Sequence, residues 1–241
     1  GFTYSDETVK RFANLKPAAK DFRIFWDNAY AVHHLYDKGD ELLNIYDECV
    51  KAGNPDLPII FTSTSKITFP GAGVAVEAAS PNNVSLLKER MKYQTIGPDK
   101  LNQLRHARMF KTPADIERHM KRHADILRPK FETVISELEK QLDGTGIARW
   151  TNPRGGYFIS LYVLDGCAKR VEQLCANAGM ILTPAGATYP YGVDPDDSNI
   201  RIAPSYPSVE EIEKASVVLC TAVKYACLLY TSPSPRDKRQ S

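Results

Sequence analysis

Lys66 is the residue of this sequence whose surroundings best suit chemistry. It follows the apolar run PIIF (58–61) and the hydroxyl-rich segment TSTS (62–65). Soon after it come Pro70, Gly71 and Gly73. A lysine that is desolvated at the end of a buried strand can lose its proton and form a Schiff base with a carbonyl carbon. The pattern therefore predicts a strand that brings an amine to the edge of a sheet, beside hydroxyl groups that can hold phosphate.

Two more side chains suited to such chemistry follow a second apolar run. Asp27 comes directly after RIFW (23–26), and Tyr30 lies close behind it. Ligands of open parallel sheets bind beyond the carboxyl ends of the strands, so we expect Asp27, Tyr30 and Lys66 at one edge. If the carbonyl carbon belongs to pyridoxal phosphate, the carboxylate can keep the pyridine nitrogen protonated, and the phenol can contact the ring oxygen.

The same lysine fits a second motif less well. Ser63 and Lys66 have the S-x-x-K spacing of the nucleophile in penicillin-binding enzymes and β-lactamases. That chemistry needs the two residues one turn apart at the start of a helix, which Pro70, Gly71 and Gly73 oppose. The sequence also contains neither S-D-N nor K-T-G. We therefore disfavour a serine hydrolase.

Composition excludes several other classes. The chain has 241 residues, a formal net charge of +2 and 43% hydrophobic residues, so no strong field attracts nucleic acid or an anionic membrane. No apolar run reaches the roughly 18–20 residues that span a bilayer. Five scattered cysteines without a C-x-x-C pair disfavour disulfides and zinc, and we expect a cytoplasmic protein without a metal.

We interpret His119 and His123 as an ordinary helix face, and His33 and His34 as packing residues.

Hydrophobic periodicity predicts the elements that position these residues. The strand that contains RIFW should be buried on both faces, and with the helix and strand that follow it forms a βαβ unit of a parallel sheet. Later segments predict a long helix over 112–142 and a smaller α+β region. The full prediction comprises helices near 5–16, 40–53, 83–93, 98–108, 112–142, 167–179 and from 208, and strands near 22–26, 57–63, 155–164, 180–186 and 199–205.

Four segments, in this order and spacing, carry a family resemblance: WDNAY (26–30), STSK (63–66), RGGYF (154–158) and SNIRIAPSYPS (198–208). Over residues 1–227 the chain resembles the second half of a fold-type I pyridoxal-phosphate-dependent aminotransferase. STSKITFPGAG and LTPAGATYPYG are most similar to a bacterial aspartate aminotransferase subgroup. The resemblance implies an α/β fold: a partial large domain with a parallel-rich sheet, followed by a smaller α+β C-terminal domain.

The resemblance also implies how the chain is divided. Residues 1–111 would be the remainder of the large cofactor-binding domain, and 112–228 the long connecting helix and the small domain. The family motif N-P-T-G would end at Gly1, so we expect the chain to be a C-terminal fragment whose N-terminal part precedes Gly1. We interpret residues 229–241, which drop all helical pattern after an apolar helix, as a non-native tail.

Site roles follow from the resemblance, residue by residue. Lys66 would be the Schiff-base lysine and the proton carrier, Asp27 the partner of the pyridine nitrogen and Tyr30 that of the ring oxygen. The hydroxyls of Ser63 and Ser65 would contact the phosphate. Arg201 would bind the substrate α-carboxylate, because its planar fork suits a carboxylate. Many relatives have an arginine eight residues after the lysine, gripping the phosphate, whereas this sequence has Val74.

The resemblance implies a function and leaves alternatives open. We expect a pyridoxal 5′-phosphate-dependent aminotransferase that moves an amino group between an amino acid, in our interpretation aspartate, and a 2-oxo acid such as 2-oxoglutarate. The family forms homodimers, and we expect no nucleic-acid or membrane partner and an inactive fragment. Alternatives are an aminotransferase-like effector domain of a transcriptional regulator, or a lyase or decarboxylase of the same fold.

Overall fold

The structure, a computed structural model, describes residues 2–231 and divides them into two compact units. Residues 3–123 form the first unit, and the described residues from Ala124 onward, together with Phe2, form the second. The division falls inside a single helix, Pro113–Leu142. The predicted domain boundary after residue 111 lies just before this helix and stays a prediction, because a helix shared by both units provides no natural break.

The first unit is built on a three-stranded sheet with the strand order β1-β2-β3. The first pair is parallel, with Asp27 opposite Phe61, and the second is antiparallel, with Ser63 opposite Ala75. The predicted βαβ unit is confirmed in its order and in its parallel pairing. The elements are α1 Asp6–Ala13, β1 Ile24–Asp27, α2 Ile45–Lys51, β2 Pro58–Ser63, β3 Ala75–Ala79, α3 Pro81–Met91, α4 Lys100–Met109 and the start of α5 Pro113–Leu142.

One face of this sheet forms a core with α1 and α2. Ser5 caps α1, because the Thr8 N–H donates to Ser5 Oγ (3.3 Å). Apolar side chains of both helices then pack around Trp26, which is 8% exposed. The cluster consists of Val9, Ala13, Trp26, Ile45, Cys49 and Leu57.

The prediction that both faces of the first strand are buried is wrong. Phe25 is 72% exposed, and its ring packs edge to face on that of Phe61 of the neighbouring strand, with 5.4 Å between the centroids. The reason is geometric: successive side chains of a strand alternate between faces, and α1 and α2 cover the face that carries Trp26. β1 is also an edge strand among the described strands.

The second unit is a smaller α+β structure around an antiparallel sheet of order β4-β5-β6. The inward residues of β5, Ile159, Leu161 and Val163, are all buried, and they alternate with partly exposed ones. A capping box opens the last helix: the Glu211 N–H donates to Ser208 Oγ (3.2 Å), and the Ser208 N–H donates to Glu211 Oε2 (2.8 Å). The elements are the end of α5, β4 Ala148–Trp150, β5 Ile159–Val163, α6 Ala168–Asn177, β6 Asn199–Ile202 and α7 Val209–Thr231.

Two other predictions of elements differ from the structure. The segment 180–186 forms no strand, and the helix predicted over 40–53 is limited to Ile45–Lys51. α7 continues to Thr231, and from residue 232 on the predicted non-native tail lies outside the described residues. No helix within 2–231 combines the length and the apolar character needed to cross a membrane.

Candidate active site

The first part of the site is formed by the ends of β1 and β2. Asp27 is the last residue of β1, Ser63 is the last residue of β2, and the strands are parallel, so both side chains lie at one edge of the sheet. The Asn28 N–H continues the pairing by donating to the Phe61 carbonyl (2.8 Å). Asp27 is exposed, and its Oδ1 accepts from the Ala29 N–H (3.2 Å), which fixes the carboxylate at the turn.

Lys66 and Tyr30 meet beyond this edge. The Lys66 Nζ lies 5.1 Å from the centroid of the Tyr30 ring, within the range of an attractive contact between a cation and an aromatic face. Lys66 is exposed, whereas Tyr30 is half-buried. The structure thus brings together an amine, a phenol, a carboxylate and a serine hydroxyl, all of which the sequence singled out.

The loop after β2 holds the hydroxyl groups close to the backbone. Ser63 Oγ accepts from the Ser65 N–H (3.4 Å), and Thr64 Oγ1 accepts from the Val74 N–H (2.9 Å). A Cβ atom at Gly73 would lie 2.9 Å from Ser65 Oγ and 3.1 Å from the Ser65 backbone nitrogen, so glycine eases the close approach of the two chain segments. Ser63 and Ser65 are both half-buried and available as phosphate-binding hydroxyls.

Arg201 belongs to the second unit, where it lies on β6 opposite Ser160 of β5. Its guanidinium carbon is 4.7 Å from the centroid of the Phe158 ring. The Nε atom is buried and has no hydrogen-bond partner among residues 2–231. A buried donor without an acceptor is costly, and a carboxylate is the ligand that best satisfies a guanidinium group.

The start of β6 is fixed by a buried carboxylate. Asp194 accepts from the backbone N–H groups of Ser198 (2.9 Å) and Asn199 (2.8 Å). Burial alone would raise the pKa of Asp194, but these bonds and one from the Asp196 N–H outweigh it and hold the pKa below its usual value. The carboxylate therefore stays charged and anchors the strand that carries Arg201.

Three histidines surround the lysine loop: His33, interpreted from the sequence as a packing residue, His119, interpreted as part of an ordinary helix face, and His106, which the sequence did not indicate. His33 Nε2 lies 3.3 Å from the Lys66 carbonyl oxygen, and His119 Nε2 lies 2.8 Å from that of Ile67. His106 Nε2 contacts the hydroxyls of two threonines in the loop. These residues come from three separate segments, so no spacing in the sequence could have grouped them.

Buried thiols do not add a nucleophile to this site. All five cysteines are buried. Burial raises the pKa to about 11 in four of them, namely Cys49, Cys167, Cys175 and Cys220.

Comparison with known proteins identifies the family of this chain. The family model described as aspartate amino-transferase matches residues 1–233. The chain is 46% identical over 226 residues to the aspartate aminotransferase of Corynebacterium glutamicum, a match that covers 94% of this chain and 52% of that protein. The chain thus spans about half the length of the curated relatives it matches.

Solved structures show the same fold. A crystal structure of an aspartate transaminase from Corynebacterium glutamicum has a TM-score of 0.93 at 44% identity, covering 96% of this chain and 55% of that one. A more distant match is the α-aminoadipate aminotransferase of Thermus thermophilus in complex with N-(5′-phosphopyridoxyl)-L-leucine, with a TM-score of 0.69 at 22% identity, covering 86% and 51%. The predicted fold class, part of a fold-type I pyridoxal-phosphate-dependent aminotransferase, is confirmed.

A weaker similarity concerns the regulator alternative. The chain is 24% identical over 162 residues to an HTH-type transcriptional regulator of Bacillus subtilis, covering 67% of this chain and 32% of that protein. The much higher identity to an aspartate aminotransferase and the match of the family model to nearly the whole chain decide the family. The chain belongs to the aspartate amino-transferase family.

Proposed function

We propose that the whole protein is a pyridoxal 5′-phosphate-dependent aminotransferase with Lys66 as its Schiff-base lysine. The observation that carries this proposal is the contact between the Lys66 Nζ and the Tyr30 ring, 5.1 Å apart, beyond the strand ends formed by Asp27 and Ser63. The family of the chain supports the same function. When bound, the cofactor supplies a carbonyl carbon for the amine and a pyridine ring that accepts electrons.

The residues at the sheet edge fit this cofactor chemically. Asp27 offers a carboxylate that can hold a proton on the pyridine nitrogen, and its anchoring by the Ala29 N–H leaves the rest of the carboxylate available. Ser63 and Ser65 offer hydroxyl donors to the phosphate group. Val74 carries no charge, so the hydroxyls and backbone N–H groups of this loop take a larger share of phosphate binding here.

Lys66 performs the proton transfer in this proposal. Its Nζ would hold the cofactor as a Schiff base, and the same amine would act as the general base and acid for the proton on the substrate α-carbon. Tyr30 stabilises and orients the amine through its ring. Arg201 binds the α-carboxylate of the substrate, because its buried Nε needs an acceptor and its planar fork offers a bidentate pair.

The identity of the substrates and the assembly extend the proposal. We propose aspartate as the amino donor, supported by the name of the family and of the relative with 46% identity. We propose a 2-oxo acid such as 2-oxoglutarate as the acceptor. We also propose that the whole protein forms a homodimer and lies in the cytoplasm.

The test is to replace Lys66 with arginine, which keeps the positive charge but cannot form the imine. In the whole protein, we expect Lys66→Arg to lower kcat with aspartate and 2-oxoglutarate by about 10²-fold or more, and to abolish attachment of the cofactor after borohydride reduction. The matched control is Lys100→Arg, an exposed lysine at the start of α4.

Two outcomes would contradict the proposal. Reductive attachment that persists in Lys66→Arg would show that another amine binds the cofactor. A wild-type protein that attaches the cofactor through Lys66 but transfers no amino group would refute the reaction, and would favour a regulator domain or a lyase or decarboxylase.

A further inference from the structure

The backbone around Lys66 forms a single tight turn. The Thr64 carbonyl accepts from the N–H groups of Ile67 and Thr68 (both 2.9 Å). Thr64 also pairs with Val74, since its N–H donates to the Val74 carbonyl (2.9 Å) and its Oγ1 accepts from the Val74 N–H (2.9 Å). Lys66 therefore sits in the middle of a turn, residues 64–68, whose ends are fixed and whose central carbonyl groups need other partners.

Three histidines meet this turn from three different segments of the first unit. His33 comes from the segment after β1, His106 from α4 and His119 from α5. We call these three residues the histidine shell. His119 Nε2 is 2.8 Å from the Ile67 carbonyl oxygen and His33 Nε2 is 3.3 Å from that of Lys66.

His106 binds the side chains at both ends of the turn. Its Nε2 lies 2.9 Å from Thr64 Oγ1 and 2.8 Å from Thr68 Oγ1, and its Nδ1 lies 2.7 Å from the Asn102 carbonyl oxygen. A carbonyl oxygen only accepts, so Nδ1 carries a proton and donates it to Asn102. The Nε2 atom is within hydrogen-bond distance of both threonine hydroxyls, and the Thr68 hydroxyl also donates to the Thr64 carbonyl (3.1 Å). By the same reasoning, His33 and His119 carry their protons on Nε2.

The shell also connects the turn to Tyr30. The His33 N–H donates to the Tyr30 carbonyl (3.1 Å), and the rings of Tyr30 and His33 pack edge to face at 5.3 Å between centroids. His33 thus contacts both residues whose side chains meet at the site, Tyr30 through its ring and Lys66 through its carbonyl. The ring of His123 packs against that of His119, with 4.7 Å between their centroids.

We propose that His33, His106 and His119 are positioning residues that fix the Lys66 backbone relative to Tyr30 in the proposed reaction. This inference rests on the proposed function, because it assigns to the shell the placement of the lysine that moves the proton. None of the three needs to touch a substrate. A displacement of the amine by about 1 Å can cost up to about 10²-fold in rate, so loss of one bond to the turn should reach the chemistry.

The test uses pairs of variants at His106 and His119 in the whole protein. Leucine keeps much of the volume but removes the hydrogen bond, whereas glutamine places an amide near the position of Nε2 and can restore it. The matched control is His34→Leu. His34 directly follows His33 in the sequence, but its side chain is exposed and is not one of the histidine shell.

Hydrogen exchange without added cofactor gives the first readout. We expect exchange of the amides at 67 and 68 to rise about tenfold in His106→Leu and His119→Leu, and to return toward the wild-type rate in the glutamine variants. Exchange in α3 (81–91) serves as the internal reference. An equal rise in α3 and in the turn would mean that the histidines only stabilise the unit, and would overturn the proposal.

Steady-state kinetics gives the second readout. With aspartate and 2-oxoglutarate, we expect the leucine variants to lower kcat about tenfold while KM stays within about twofold, and glutamine to recover most of the loss. If the wild type is active and the leucine variants fold but keep the wild-type kcat, the positioning role of the histidines is refuted and the proposed function stands. An inactive wild type would instead refute the proposed function, and the exchange readout would still decide whether the shell holds the turn.

Discussion

At the scale of single residues, the side chains that carry the proposed chemistry are held by ordinary turn and strand contacts. Asp27 is anchored by the Ala29 N–H, and Ser63 by the Ser65 N–H. These bonds join residues two positions apart, so the local sequence alone fixes the direction of both side chains. The contact between Lys66 and Tyr30 is different, because it depends on the pairing of β1 with β2.

Arg201 leads to the first residue-scale prediction. Its Nε is buried without a partner among the described residues, so a bound carboxylate would relieve an unsatisfied donor. In the whole protein, Arg201→Lys loses the bidentate fork but keeps the charge, and we expect KM for aspartate to rise about 10–100-fold with a smaller change in kcat. Steady-state kinetics with varied aspartate measures both.

The control for Arg201 is another arginine that stacks on a ring in the same unit. The guanidinium carbon of Arg149 lies 3.9 Å from the centroid of the Tyr162 ring, and Arg149 is exposed. Arg149→Lys should leave KM for aspartate within about twofold, because an exposed stacking contact contributes little. A KM that stays at the wild-type value in Arg201→Lys would remove Arg201 from the substrate site.

Site residues can be predicted from the sequence only where a chemically suited side chain follows the end of a predicted strand. Asp27 and Lys66 follow apolar runs, and that pattern alone indicates a position at the edge of a sheet. His106 follows no such run. It lies mid-helix in α4, a helix with no fully buried residue, so nothing in its neighbourhood indicates that Thr64 and Thr68 are its partners.

At the scale of elements, prediction succeeds where burial is one-sided and periodic. The long helix predicted over 112–142 is confirmed by α5, Pro113–Leu142, because its apolar residues repeat at helical spacing along one stripe. β3 and β4 are missing from the prediction for the opposite reason. β3 has the sequence AVEAA and is exposed except at Ala79, and β4 has three residues, so neither shows the alternation of a half-buried strand.

The N-terminus of α3 leads to an element-scale prediction. Ser80 is 1% exposed, its Oγ accepts from the Asn83 N–H (3.2 Å), and it donates to Asp56 Oδ1. The Ser80 hydroxyl, with a smaller contribution from Asn82, holds the pKa of Asp56 below its usual value. Ser80→Ala removes the cap, so we expect the free energy of unfolding to fall by about 1–2 kcal/mol.

Urea unfolding of Ser80→Ala measures this loss, and the same helix offers a matched control. Ser85 lies in the exposed interior of α3, where alanine has the higher helix propensity, so Ser85→Ala should be neutral or slightly stabilising. If both variants unfold at the same urea concentration, the cap contributes nothing, and the start of α3 must be held by other contacts such as that of Asn83 Nδ2 with the Asp56 carbonyl (2.8 Å).

At the scale of the whole molecule, histidines make the stability of the first unit depend on pH. Burial lowers the pKa of His33, which is 3% exposed, and the nearby charges of His123 and Lys66 lower it further, against hydrogen bonds to the backbone at Lys66 and Tyr30 that raise it. Burial and the neighbouring His119 likewise lower the pKa of His123. Both histidines are therefore neutral in the folded unit at pH 7.

The sign of the effect follows from linkage. A histidine whose folded pKa lies below the unfolded value of 6.5 binds more protons when unfolded, so its contribution to stability is present above 6.5 and is lost as the pH falls. Each histidine can contribute a slope of up to about 1.4 kcal/mol per pH unit. The depressed pKa of Asp56 and Asp115 acts only in a lower window, below about pH 4.

We therefore expect the free energy of unfolding of the first unit to fall between pH 6.5 and pH 5, above the window in which Asp56 and Asp115 act. Trp26 lies in the core of this unit, and Trp150 is the other tryptophan of the chain, so fluorescence-detected urea unfolding in a Trp150→Phe background follows Trp26. His33→Gln should flatten the slope, because glutamine does not titrate, while His34→Gln, at an exposed position, should keep it. A slope that is the same in all three proteins would mean that His33 titrates alike in the folded and unfolded states, and that its ring is not buried as a neutral group beneath Lys66.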